Sequence, residues 1–175
     1  IRRGKDPIKP NATLSHAANF LYMLEGNEPS VGAASLMDKD FVLHADHGSN
    51  ASAFTARTVA GTAADIHGAV TAGIAALSGP SHGGAAENVM QMAKEIGKPE
   101  NAADYVHNLL SSRQRVMGFG HRVYKAEDPR ARHLREGVKN LSDEMGQSEW
   151  YQILEGVVDA MKPSARRGIH VNVAF

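Results

Sequence analysis

Apolar side chains recur with helical spacing along almost the whole chain. Leu14, Ala17, Leu21 and Leu24 fall at intervals of three and four, which gives a first helix one apolar face, and Gly26 stops it. Pro29-Ser30 opens a second helix toward His44, with Val31, Ala34, Met37 and Phe41 on one side. Asn50 can cap a third helix through about Gly61, and Asp65 a fourth through about Ser78, because a short side-chain oxygen accepts from the unpaired amides of a first turn. Gly79-Pro80 ends the fourth, and Gly83-Gly84 leads into a fifth that closes at Gly97. A sixth runs from about Asn101 to Arg113. Asp128-Pro129 starts a seventh in cap-plus-first-turn order, and Ser148 starts an eighth that Pro163 limits. Only Gly168 to Phe175 alternates like a strand, and it is too short to found a sheet. The pattern predicts an all-α fold without repeats or low-complexity linkers.

Small residues are dense from Ala51 to Ala76, and small side chains let helix axes approach closely. A tight core within one chain and a helix layer shared between two subunits both satisfy that composition. The stretch Ile66 to Ala86 carries no Asp, Glu, Lys or Arg, but His67, Pro80, His82 and its glycines make it too polar and too broken to span a membrane.

The chain has 175 residues, enough for one domain, or a fragment of something larger. It opens on Ile1 rather than Met and closes at Phe175 inside an apolar run, which favours a fragment. Nineteen Lys and Arg balance nineteen Asp and Glu, which argues against non-specific binding to nucleic acid or anionic membranes. No cysteine is present, so disulfides and thiolate chemistry are excluded. Ile1-Arg2-Arg3-Gly4 begins no apolar signal region, and the expected location is cytoplasmic.

Nine histidines and seventeen glycines concentrate the candidate chemistry in three places. His44 and His47 could share a helix face and bind metal, but no cysteine or nearby third ligand completes a zinc site. A polar helix end facing a pocket is the reading adopted, and no metal is expected. Gly79-Pro80-Ser81-His82-Gly83-Gly84 has the glycine spacing of a phosphate loop, yet Ala85-Ala86 follows where Lys and Ser or Thr are required. What remains is a histidine in a glycine turn at a helix start, where the dipole disfavours imidazolium. A neutral imidazole there can donate to a carbonyl oxygen as it gains charge. A histidine that merely caps the turn is the alternative. Met117-Gly118-Phe119-Gly120-His121 fails the dinucleotide fingerprint, because Val123 stands at the third glycine position. Its continuation through Arg122, Lys125 and Arg130 gathers cations beside a histidine, which suits a carboxylate or phosphate ligand.

Taken together, His44-Ala45-Asp46-His47-Gly48-Ser49-Asn50-Ala51-Ser52, Gly79 to Ala85, Gly118-Phe119-Gly120-His121-Arg122-Val123-Tyr124 and Asp128-Pro129-Arg130 resemble the citrate synthase family, in its order and approximate spacing. The resemblance covers essentially the whole chain. It implies an all-helical homodimer of the tricarboxylic acid cycle that condenses acetyl-CoA with oxaloacetate. It also implies that residues 1–78 belong to a large domain, 79–167 to a small one, and 168–175 to a segment returning toward the large domain.

By the same resemblance His82 donates to the acetyl thioester oxygen and His121 polarises the oxaloacetate ketone. His47 and Arg130 hold oxaloacetate groups. Arg115, Val116, Met117, Gly118 and Phe119 receive the CoA adenine, and Lys125 lies near its phosphates. No cofactor beyond the substrate CoA is implied. One position departs from the pattern. Asn172-Val173-Ala174-Phe175 has Ala174 where the family places an aspartate that takes the methyl proton, so impaired catalysis is expected. The resemblance places two further arginines of the oxaloacetate and CoA sites beyond residue 175. The alternatives are a 2-methylcitrate synthase using propionyl-CoA, since one methylene is worth only about 1–3 kcal/mol of discrimination, and a non-catalytic fragment that binds CoA or dimerises.

Overall fold

The computed structural model of the chain describes residues 4, 6–45, 48, 50–80, 82–121, 124 and 126–175. Among them are eight α-helices and no β-strand: α1 (His16–Glu25), α2 (Val31–His44), α3 (Ala51–Ala60), α4 (Ile66–Leu77), α5 (Gly84–Ile96), α6 (Ala102–Ser111), α7 (Pro129–Glu144) and α8 (Ser148–Ala165). The expected capping residues sit at the helix starts. Asn50 Oδ1 accepts from the Ser52 and Ala53 amides at 3.0 and 3.3 Å, and Asp65 Oδ1 accepts from the Gly68 amide at 2.9 Å. Gly26 and Gly97 close α1 and α5 at φ +86° and +71°, a backbone that side chains rarely tolerate.

The chain forms two compact units. The first comprises Ile1–Asp46 and Arg132–Ser148. In it, the rings of His16 and Phe20 on α1 meet Phe41 on α2, and Gly137 on α7 lets Leu36 approach where a Cβ would stand 2.6 Å from its Cδ1. Val31, expected on the apolar side of α2, is 88% exposed. It stands in the first turn, whereas these ring contacts with α1 lie near the opposite end of the helix.

The second unit comprises His47–Ala131 and Glu149–Phe175. Its core joins Val89, Met92, Ala93 and Ile96 of α5 to Ala102 and Val106 of α6, Val116, and Ile153, Val157 and Met161 of α8. The intervals of three and four residues put each set on one face of its helix. In the same unit α3 packs on α4. A Cβ at Gly73 would lie 3.4 Å from the Cβ of Ala56, so the small residues do bring these two helices close. Phe54, Ile66, Val70, Ile74 and Leu77 of the pair remain exposed.

One further feature differs from the sequence expectation, and one agrees with it: the run 168–175 is indeed too short to found a sheet. Pro163 does not limit α8, which continues to Ala165. A proline in a last turn removes one ladder donor only, and here Met161 and Ser164, both buried, hold the turn against the unit. The alternation at 168–175 yields no strand but a single antiparallel bridge between Phe119 and Val171. Gly120 donates to the His170 carbonyl at 2.7 Å, Asn172 to that of Gly118 at 2.9 Å and Asp128 to that of Val171 at 3.0 Å. No helix among the described residues is long and apolar enough to cross a membrane.

Candidate active site

His82 lies between α4 and α5 in a turn closed by backbone bonds. Its amide donates to Gly79 O at 2.9 Å, the Gly83 amide to Leu77 O at 2.9 Å and the Ala85 amide to His82 O at 3.1 Å. Gly83 must be glycine, because a Cβ there would stand 2.5 Å from Leu77 O. Gly83→Ala is therefore expected to lower stability by about 1–3 kcal/mol, the usual cost of overpacking, and to shift the His82 ring resonances. Urea denaturation followed by NMR checks both. Unchanged ring resonances would show that this turn does not fix the histidine.

The His82 ring is half-buried, with Nε2 3.0 Å from Ser52 Oγ. The same hydroxyl lies 2.7 Å from Asn50 Oδ1. It has one proton to give. Asn50 Oδ1 can only accept, so that proton goes to Asn50 and the hydroxyl oxygen accepts from Nε2–H. Ser52 thus selects the tautomer of His82. Its proximity across thirty residues was not visible from sequence, where Asn50-Ala51-Ser52 shows only a helix cap.

His121 is placed by its own loop. The Tyr124 amide donates to His121 Nδ1 at 3.1 Å, and the Tyr124 ring lies against the imidazole at 4.7 Å. With Nδ1 accepting, the neutral ring carries its proton on Nε2, which can donate to an incoming oxygen. Asp128 and Arg130 form a buried pair at the start of α7. Arg130 Nε and Nη2 donate to the two carboxylate oxygens at 3.0 and 2.7 Å, and the Arg130 amide donates to Oδ1 at 3.0 Å. Burial alone would raise the Asp128 pKa. The hydrogen bonds and charge of Arg130 outweigh it and hold the carboxyl below its ordinary value. The fork anticipated for Arg130 toward a ligand is turned on Asp128 by its Nε–Nη2 edge.

Residues 115–119 divide by role. Arg115 is exposed, Val116 is part of the core, and Met117 and Phe119 pack against it. Gly118 adopts φ +78°, and a Cβ there would meet Phe175 Cδ2 at 2.4 Å and Val89 Cγ2 at 3.0 Å. This close approach packs residues 118–120 against both α5, whose first turn follows His82, and the chain end. Ala174 packs against the same core, with its amide donating to Asn172 Oδ1 at 2.9 Å. The bridge at Phe119–Val171 and the Asp128–Val171 bond thus gather 118–121, 128–130 and 171–174 in one neighbourhood. His47 and Lys125 lie outside the described residues. Among the described residues, no three His, Cys, Asp or Glu side chains gather as a metal site.

The chain matches the family model described as citrate synthase, C-terminal domain, over residues 1–175. It is 48% identical over 165 residues to citrate synthase 2 of Bacillus subtilis (strain 168), covering 93% of this chain and 44% of that protein. It is 39% identical over 174 residues to 2-methylcitrate synthase of Mycobacterium tuberculosis (strain H37Rv), covering 99% of this chain and 44% of that protein. A solved structure of citrate synthase from Thermoplasma acidophilum, a ternary complex with carboxymethyl coenzyme A and oxaloacetate, matches with a TM-score of 0.86 at 32% identity, over 94% of this chain and 44% of that one. The chain spans less than half the length of each of these proteins.

Proposed function

The chain belongs to the citrate synthase family, and from that premise we propose that it serves the condensation of acetyl-CoA with oxaloacetate to citrate and CoA. The observation that carries this reading is the hydrogen bond from the Tyr124 amide to His121 Nδ1. With Nδ1 accepting from the Tyr124 amide, Nε2–H is the donor that the neutral ring turns to the ketone oxygen of oxaloacetate, supporting the alkoxide formed when the ketone carbon is attacked. Arg130, with one edge held by Asp128, offers its Nη1 side to a substrate carboxylate. His82 keeps the role that the family resemblance gives it, donation to the acetyl thioester oxygen as the enol forms. His47 and Lys125 keep the substrate-binding roles that the family resemblance gives them, as do Arg115 to Phe119 toward the adenine of CoA. Loss of the methyl proton then needs a base at position 174, where Ala174 supplies none. Water finally hydrolyses the citryl thioester, releasing CoA.

No cofactor other than substrate CoA, and no metal, belongs to this reading. The locale is the cytoplasm, and the setting is the tricarboxylic acid cycle. Residues 1–78, 79–167 and 168–175 are taken as large-domain, small-domain and return segments of the complete protein. Propionyl-CoA is the second candidate, and the 39% identity to a 2-methylcitrate synthase, against 48% to a citrate synthase, ranks it second. Calorimetry with oxaloacetate tests the first. His121→Ala should weaken binding roughly 2- to 10-fold, the net worth of a hydrogen bond between neutral groups. Unchanged affinity in this variant would remove His121 from the site.

The exposed apolar side chains of α3 and α4 support a homodimer built on these helices, since a large exposed apolar patch favours association. Equilibrium sedimentation at micromolar concentration should give twice the chain mass. A stable, soluble monomer would exclude this interface.

A further inference from the structure

Asn172 uses every polar group it has within one small region. Its amide donates to Gly118 O at 2.9 Å, and its carbonyl accepts from the Phe175 amide at 3.2 Å. Its side chain does two further things at once. Oδ1 accepts from the Ala174 amide at 2.9 Å, and Nδ2 donates to Gly120 O at 2.8 Å across fifty-two residues of chain. The orientation of this carboxamide is unambiguous, because the Ala174 amide can only donate and the Gly120 carbonyl can only accept. The first bond is the local turn that either Asn or Asp can make. The second requires a donor, which only the amide supplies.

We propose that Asn172 is a positioning residue, whose single carboxamide holds position 174 with its oxygen and the backbone carrying His121 with its nitrogen. Gly120 is the residue before His121, so beside the backbone bonds of 118–120 to 170–172 one rigid planar group ties the backbone carrying the ketone-polarising imidazole directly to the position of the proton-abstracting base. Proton abstraction needs hydrogen-bond reach and aim, and a carboxamide bridging the two positions supplies the aim. The inference rests on the reading of positions 121 and 174 as substrate-facing.

Two variants separate the functions. Asn172→Asp keeps the turn acceptor, loses the donor and sets a negative charge against the Gly120 carbonyl. Asn172→Ala loses both. The backbone bonds of residues 118–120 to 170–172 are not altered directly by either change, so both variants are expected to fold. Melting curves check this. If Asn172→Ala unfolds, Asn172→Asp alone decides.

The readouts are hydrogen exchange of the Ala174 amide and the 15N resonances of the His121 ring. In Asn172→Asp, Ala174 exchange should stay within about twofold of the unmodified chain while the His121 ring signals move. In Asn172→Ala, Ala174 exchange should rise about fivefold, the worth of one net hydrogen bond, and the ring signals move as well. The proposal is overturned if Asn172→Asp leaves the His121 signals in place. Equal acceleration of Ala174 and of the α5 and α8 core amides in both variants would also overturn it, because that is a general loss of stability. Neither readout uses substrate, so a failure of oxaloacetate to bind would count against the proposed function and leave this result standing.

Discussion

Arg130→Ala should destabilise the chain by about 3–5 kcal/mol, the usual consequence of removing one partner of a buried ion pair. Asp128 is fully buried and Arg130 is 8% exposed, so truncating the arginine strands a carboxylate that water cannot reach. The loss should show as a lower urea midpoint with an unchanged slope. The double variant Asp128→Ala with Arg130→Ala should recover part of the stability, because the stranded charge is gone.

Acid should act on the same pair. The Asp128 pKa is depressed in the folded chain, so the stabilisation is complete above the unfolded value of about 3.9. It declines as pH falls from there through the lower folded value. Asp128→Asn should flatten the stability profile over that acid range. A profile identical to that of the unmodified chain would mean that the pair contributes nothing net. Any oxaloacetate affinity measured on Arg130→Ala must be read with this cost in mind, and Arg130→Lys, which keeps a cation beside Asp128, is the fairer binding variant.

The helices were legible in the sequence because each carries its own punctuation. Ser30, Asn50 and Asp65 cap where they stand, and Gly26 and Gly97 stop where the backbone turns left-handed. Pro163 misled because a proline in a last turn costs a single hydrogen bond, and burial of Met161 and Ser164 outweighs it. Of the site, His82, His121 and Arg130 stood out by residue type and glycine context. Their partners did not. Ser52 looks like part of a cap and Asp128 like the cap of α7, and Asn172 is one polar residue in an alternating run. Each acts through a bond whose other end is fixed only by folding: thirty residues away for Ser52 and fifty-two for Asn172. The Asp128–Arg130 pair is close in sequence, but its burial and the bond from the Asp128 amide to the Val171 carbonyl come only with folding.

Ala174→Asp should be the substitution with the largest effect on turnover. The structure holds position 174 in a turn through Asn172 and packs it against the core, so a carboxylate introduced there enters a prepared frame. A positioned general base contributes about 10²–10⁴-fold. Because the chain spans less than half of its relatives, the fair setting is a chimera in which residues 1–175 replace the matching segment of the Bacillus subtilis protein. CoA release from acetyl-CoA plus oxaloacetate, followed by thiol titration, measures it directly. The chimera with Ala174 should turn over slowly, and its Ala174→Asp variant about 10²–10⁴-fold faster. Equal rates, with the Ala174 chimera matching the Bacillus subtilis protein, would mean that another carboxylate takes the proton and that position 174 is not the base position.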